Sequence, residues 1–221
     1  MAEYRTAAPP TDTPERPATA VRTALAEFLT EKRAALGTMA PELLPVADEL
    51  VALCGTGPGN GPDELWTAWR AEAAAGRMSS GEPAAVVLRV ATAVEMLRIA
   101  DLAHREVMAV AGTPGERVPA RDRVPLVADG VVLGADAGIL VGDLALVWSE
   151  ELLGRAGLSA AGLVRVAGVW DRMRTALTAG RYLELVGAAG GRPAGSAAAA
   201  ANGWARQLGA ALAGSHGTAP A

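Results

Sequence analysis

The chain has 221 residues, of which 51% are hydrophobic and only 4% aromatic, and it carries a formal charge of -4. That length suits one helical domain with tails, and the core must be built from Ala, Leu and Val because rings are scarce. The acidic balance argues against nucleic acid as a general partner, since that needs a basic footprint, and the single cysteine, Cys54, rules out an intrachain disulfide and fits a reducing cytoplasm.

Residues 1–19, rich in Pro, Ala and Thr, read as a disordered leader without an apolar signal core. No stretch reaches the roughly 20 uninterrupted apolar residues of a membrane span. Val124 to Trp148 comes nearest, and Asp129, Asp136 and Asp143 interrupt it. Val21, Leu25, Phe28, Leu29 and Leu36 recur at helical spacing and predict a first amphipathic helix. Pro41 suits the first position of a second helix, which carries Leu43, Leu44, Leu50 and Leu53 and stops at the glycine-rich run Gly55 to Gly61. A short helix near Asp63 to Ala75 holds Trp66 and Trp69. A long helix is expected over about Pro83 to Val110, then a polar loop over 112–125, then a second long helix over about Leu126 to Leu153. In that helix Gly134, Gly138 and Gly142 lie four apart on one face. Each costs roughly 1 kcal/mol relative to Ala, so their grouping implies close approach of another backbone. Ser159 caps a further helix that ends near Val186. The Gly- and Ala-rich remainder, 187–221, is expected to hold at most one weak helix, over 197–213. No strand-like alternation appears, and the class is all-α.

Chemistry-bearing residues are few. Two histidines and one cysteine give no zinc spacing. The Gly55 to Gly61 run holds no lysine and follows no strand, so it fails as a phosphate loop. Arg98 and Arg105 are seven apart and share a helix face. With Arg89 and Arg174 they either line a cavity that meets a diphosphate or pair with Glu95, Asp101 and Glu106, the commoner fate of such charges.

Gly138-Ile-Leu-Val-Gly-Asp-Leu-Ala-Leu-Val-Trp-Ser-Glu-Glu-Leu-Leu153 resembles the polyprenyl synthetase (trans-isoprenyl diphosphate synthase) helix with the pattern Ile-Leu-x-Gly-Asp-Leu-Leu. Val169-Trp-Asp-Arg-Met-Arg-Thr-Ala-Leu-Thr-Ala-Gly-Arg-Tyr-Leu-Glu-Leu185 is similar to the segment that in this family ends Gly-Gln-x-x-Asp, with Arg181 in place of the glutamine. Ala93-Val-Glu-Met-Leu-Arg-Ile-Ala-Asp-Leu-Ala-His-Arg-Glu-Val-Met108 resembles the helix that runs into the first aspartate-rich motif. The likeness covers about residues 20–186 and implies a helical bundle of the isoprenoid synthase type, truncated after the helix near 159–186.

The departures carry as much meaning. Family members hold magnesium between two aspartate-rich motifs, where the metal neutralises the leaving diphosphate. Here the first motif reads His104, Arg105, Glu106, then Ala109 where a third aspartate would stand. A cation beside one carboxylate repels Mg²⁺. Nothing acidic follows Glu184, and the region of the usual cationic diphosphate loop is Gly55 to Gly61. No cofactor or metal is therefore expected, magnesium only if an unrecognised site exists. The resemblance implies a non-catalytic subunit that forms a homodimer, or a heterodimer with a catalytic prenyl synthase, in the cytoplasm. Gly134, Gly138, Gly142, Asp143, Trp148 and Trp170 are the expected subunit-packing residues. Arg98, Arg105, Arg174 and Arg181 are the expected cavity or diphosphate contacts. Two alternatives stand beside this reading: a repurposed terpene synthase or prenyltransferase with a non-standard site, and a carrier that binds an isoprenoid without chemistry.

Overall fold

The computed structural model describes residues 17–55, 61–75, 81–111, 127–128, 131–132, 135–185 and 195–214; at 106–111, 127–128, 131–132, 135–137, 183–185 and 195–202 it describes the backbone alone. The helices are α1 (Pro17–Met39), α2 (Leu44–Gly55) after a 3₁₀ turn at Pro41–Leu43, α3 (Gly61–Ala74), α4 (Ala84–Ala111), α5 (Ala135–Gly154), α6 (Ala160–Leu185) and α7 (Gly195–Ala213). The fold is all-α, as the sequence predicts.

α4 organises the rest. It shows no single apolar stripe; Val87, Val90, Ala93, Met96, Ile99 and Ala103 are all fully buried, and they point in different directions around the helix. A helix that is apolar all round is a core helix, and α4 runs through both hydrophobic clusters. In one, Val87 and Val90 meet Val21 of α1, Leu65 of α3, Val166 and Trp170 of α6, and Leu208 and Leu212 of α7. In the other, Met96 and Ile99 meet Leu25 and Leu29 of α1, Leu50 of α2, and Val141 and Trp148 of α5.

Polar side chains fix the helix ends. The Ser159 hydroxyl accepts from the Gly162 N–H at 3.0 Å, the N-cap expected for α6. Buried Glu82 accepts from the Ser159 N–H at 3.1 Å and from its hydroxyl, placing a carboxylate at the positive end of the helix. Arg89 Nε donates to the Ala156 carbonyl at 2.7 Å and Arg165 Nε to the Ala211 carbonyl at 2.8 Å. These arginines satisfy acceptors that helix ends leave open. α1 is tied to α5 by Lys32, the only lysine, whose ammonium meets Glu151 at 2.5 Å and lies 5.2 Å from the Phe28 ring centre. Phe28 stands edge-on to Trp148 at 6.1 Å.

Two expectations change. The helix predicted from Leu126 begins at Ala135, and Val127–Ala128 pairs antiparallel with Val131–Val132 ahead of it. Asp129-Gly130 stands between these pairs, and Asp-Gly flanked by apolar residues is a strong two-residue hairpin signal. Two residues are too short to show strand alternation in the sequence. The stretch expected to give one weak helix forms α7, whose Ala205, Leu208 and Leu212 are buried in the first cluster. Its small side chains let it approach α3 so closely that the Leu65 carbonyl lies 2.6 Å from where a Cβ on Gly209 would stand.

Candidate functional site

On α4, Leu97, Ala100, Asp101 and His104 follow one another at three- and four-residue steps and so share a face. On α6, Asp171, Arg174, Thr178, Arg181 and Tyr182 do the same. The two faces, with Leu146 of α5, line an open groove of about 750 Å³, within the ~300–1,000 Å³ of small-molecule sites. The α4 wall is half apolar (Leu97, Ala100) and half polar (Asp101, His104), α5 adds Leu146, and hydroxyls and charges gather along α6.

Asp101 is the centre of its charges. Arg181 reaches across from α6 and donates to Asp101 Oδ1 through Nε at 2.9 Å and Nη2 at 2.5 Å. Arg105, one turn along α4, meets Asp101 Oδ2 at 3.1 Å. Each oxygen of one carboxylate is thus engaged by a guanidinium. The Asp101 and Arg181 side chains are only 13% and 15% exposed, so this pair is screened less than a surface pair. Arg174 meets Glu150 Oε1 at 2.8 Å, and the Trp170 indole N–H donates to the same oxygen at 2.9 Å.

His104 sits against α5. Its Nε2 lies 3.2 Å from Asp143 Oδ1, and its ring occupies the space that a side chain at position 142 would need. This explains the Gly142-Asp143 pair locally: the glycine admits the ring and the aspartate orients it. The glycine face predicted to receive another helix does so for Gly142, with a side chain rather than a backbone in the gap. Gly138 is buried, and Gly134 lies outside the described residues.

The structure sorts the remaining expected site residues. Arg174 and Arg181 line the groove, and Arg105 is at its edge through Asp101. Arg98 does not line it; its guanidinium meets Glu95 on α4 at 2.6 Å because a three-residue step puts both on one side of the helix. Trp148 and Trp170, expected at a subunit surface, are buried inside this chain at 5% and 1% exposure. Indoles are the largest apolar groups available to a ring-poor core, and they are consumed there. The Asp143 side chain remains exposed. The side chains of Glu106 and Ala109 lie outside those described. Asp101, Thr175, Thr178 and Tyr182 were not singled out as site residues; for Asp101 the signal was its three- and four-residue steps to His104 and Arg105.

These groups do not fit a magnesium cluster. Mg²⁺ demands converging oxygen ligands, and Asp101, the groove carboxylate best placed on α4, spends both oxygens on guanidinium groups. Among the described residues no group of three or more His, Cys, Asp and Glu side chains converges as a metal site would require.

Cys54, half-buried on α2, has a thiol pushed up to about 12 by burial and then by Glu95, opposed in part by Arg98. From an ordinary value of 9.0, this leaves about a thousandfold less thiolate at neutral pH, so alkylation of the folded chain should be slower than that of the urea-unfolded chain by about that factor. Mass spectrometry of iodoacetamide time courses checks this. The unfolded thiol ionises near 9.0 and the folded one near 12, so this group's effect on stability is absent below pH 9 and increasingly destabilising above it.

Among solved structures the chain is similar to geranylgeranyl pyrophosphate synthase from Corynebacterium glutamicum complexed with isoprenyl diphosphate and magnesium, at 26% identity and a TM-score of 0.66, over 91% of this chain and 60% of that one. It is also similar to a further chain described as a candidate geranylgeranyl pyrophosphate synthase of that organism, at 25% identity and a TM-score of 0.63, over 91% of this chain and 56% of the other. The chain therefore spans less than two thirds of the length of these structures. Comparisons with family models and with curated proteins return no match. The helices have the trans-isoprenyl diphosphate synthase fold. Fold and identity together are consistent with a member of the polyprenyl synthetase family. Among the described residues, no helix is long and apolar enough to cross a membrane.

Proposed function

We propose that this chain is a catalytically silent relative of the isoprenyl diphosphate synthases that serves isoprenoid biosynthesis as a subunit, paired with itself or with a catalytic prenyl synthase. The coarse assignment follows from the fold. The silence is carried by one observation: Arg105, which stands at a first-motif position, and Arg181 both bind Asp101, the groove carboxylate one turn before that motif. Magnesium and an isoprenyl diphosphate are bound in the Corynebacterium structure, whereas both oxygens of Asp101 in this groove are held by guanidinium groups.

Support for assembly comes from the surface. Leu140 and Val147 are 66% and 61% exposed on α5, seven residues apart and so on one face, and Val164 of α6 is 75% exposed. Large apolar side chains exposed together on one face mark contact surfaces. Light scattering coupled to gel filtration reads self-association, and Leu140→Glu with Val147→Glu should abolish it.

The decisive assay supplies the purified chain with Mg²⁺, isopentenyl diphosphate and allylic diphosphates. No product above the enzyme-free control is expected; steady turnover would overturn the reading. The rival, a repurposed terpene synthase or prenyltransferase, draws on the open groove and on His104 held by Asp143 beside it. The same assay decides between them.

A further inference from the structure

The groove keeps its volume while its charges are consumed internally, and that combination points to a ligand class. Asp101 is shared by Arg105 and Arg181, Arg174 is held by Glu150, and His104 rests on Asp143. The lining itself carries Asp101 and Asp171 against Arg174 and Arg181. The wall therefore offers an anion no excess of positive charge. A diphosphate entering without metal would meet the Asp101 carboxylate and would have to displace it from both guanidiniums. Like-charge repulsion at such short range is strongly unfavourable away from bulk water. An uncharged molecule meets no such obstacle. Leu97, Leu146 and Leu177 offer it an apolar surface, and Thr175 and Thr178 offer hydroxyls that both donate and accept.

We propose that the groove between α4 and α6 binds an elongated apolar molecule with a neutral hydroxyl or carbonyl head, and that the Asp101 carboxylate is the element that turns diphosphates away. This goes beyond the subunit reading and fails separately from it, because one is read by turnover and the other by binding.

The test uses the full chain and a matched pair of ligands that share one tail, geranylgeraniol and geranylgeranyl diphosphate, each with and without Mg²⁺, followed by thermal shift and by intrinsic tryptophan fluorescence. Geranylgeraniol should bind saturably and raise the unfolding midpoint, with a Kd at least about tenfold below that of the diphosphate, and Mg²⁺ should not close the gap. Asp101→Asn removes the carboxylate charge that engages two guanidiniums, so it should bind inorganic pyrophosphate at least about tenfold more tightly than the parent chain. Leu146→Trp, which fills the groove wall, should lose geranylgeraniol while keeping its helical circular dichroism. Three results overturn the proposal: preference of the parent chain for the diphosphate, no saturable binding of the alcohol, or unchanged alcohol binding by folded Leu146→Trp. Should Asp101→Asn not fold, the parent chain and Leu146→Trp decide alone. A folded Asp101→Asn with no gain for pyrophosphate removes the role given to that carboxylate.

Discussion

Trp170→Ala should lower the free energy of unfolding by about 4 kcal/mol, the middle of the range for emptying a buried aromatic site. Trp170 is 1% exposed and is the largest of the fully buried side chains. It joins α6 to Val87 and Val90 of α4 and to Leu153 of α5. Its indole N–H also donates to Glu150, the carboxylate that holds Arg174 in the groove, so the truncation removes packing and one of two donors from that carboxylate. Trp170→Phe keeps most of the ring and loses the hydrogen bond, and should cost about 1–2 kcal/mol. Urea titrations with an unchanged slope would read both. A loss below about 1 kcal/mol for Trp170→Ala would mean that α6 is not anchored through this residue, and the groove it walls would need another explanation.

Most of the helices were legible because each carries a local signal. Ser159 announces its own cap, and the apolar spacing of Val21, Leu25, Phe28, Leu29 and Leu36 announces α1. The groove was less legible, because its defining contacts cross between helices. Asp101 and Arg181 are 80 residues apart, and His104 and Asp143 are 39 apart; no periodicity links them. Within one helix the contacts are legible. Arg98 with Glu95 and Arg105 with Asp101 are the ion pairs that three- and four-residue steps allow. The resemblance identified Arg105 and Arg181 as departures from the family pattern, and the fold brings both to one carboxylate. Neither substitution alone indicates that. A protein cation therefore stands on each oxygen of Asp101.

α7 shows what an apolar pattern underrates. Its sequence is mostly Ala and Gly, which count for little as hydrophobic bulk, so it read as a weak helix in a tail. In the fold that same smallness permits close packing on α3, and Gly209 gives the sharpest test of it. By helix propensity alone Gly209→Ala should stabilise the chain by about 1 kcal/mol. The packing predicts the opposite sign. An alanine Cβ would stand 2.6 Å from the Leu65 carbonyl oxygen, 2.7 Å from the Ala68 Cβ and 2.9 Å from the Trp69 nitrogen. Two of these three atoms are backbone, so no rotamer change relieves the overlap and the helices must part. Overpacking of this kind costs up to about 3 kcal/mol, leaving a net loss of about 2 kcal/mol after the propensity gain. Parting α3 from α7 would also disturb Leu208 and Leu212, which reach from α7 into the cluster around α4. Thermal and urea unfolding of the single variant measure the sign directly. A stabilised Gly209→Ala would show that α7 does not rest on α3 at this distance, whereas a loss near 2 kcal/mol would make α7 part of the cooperative core.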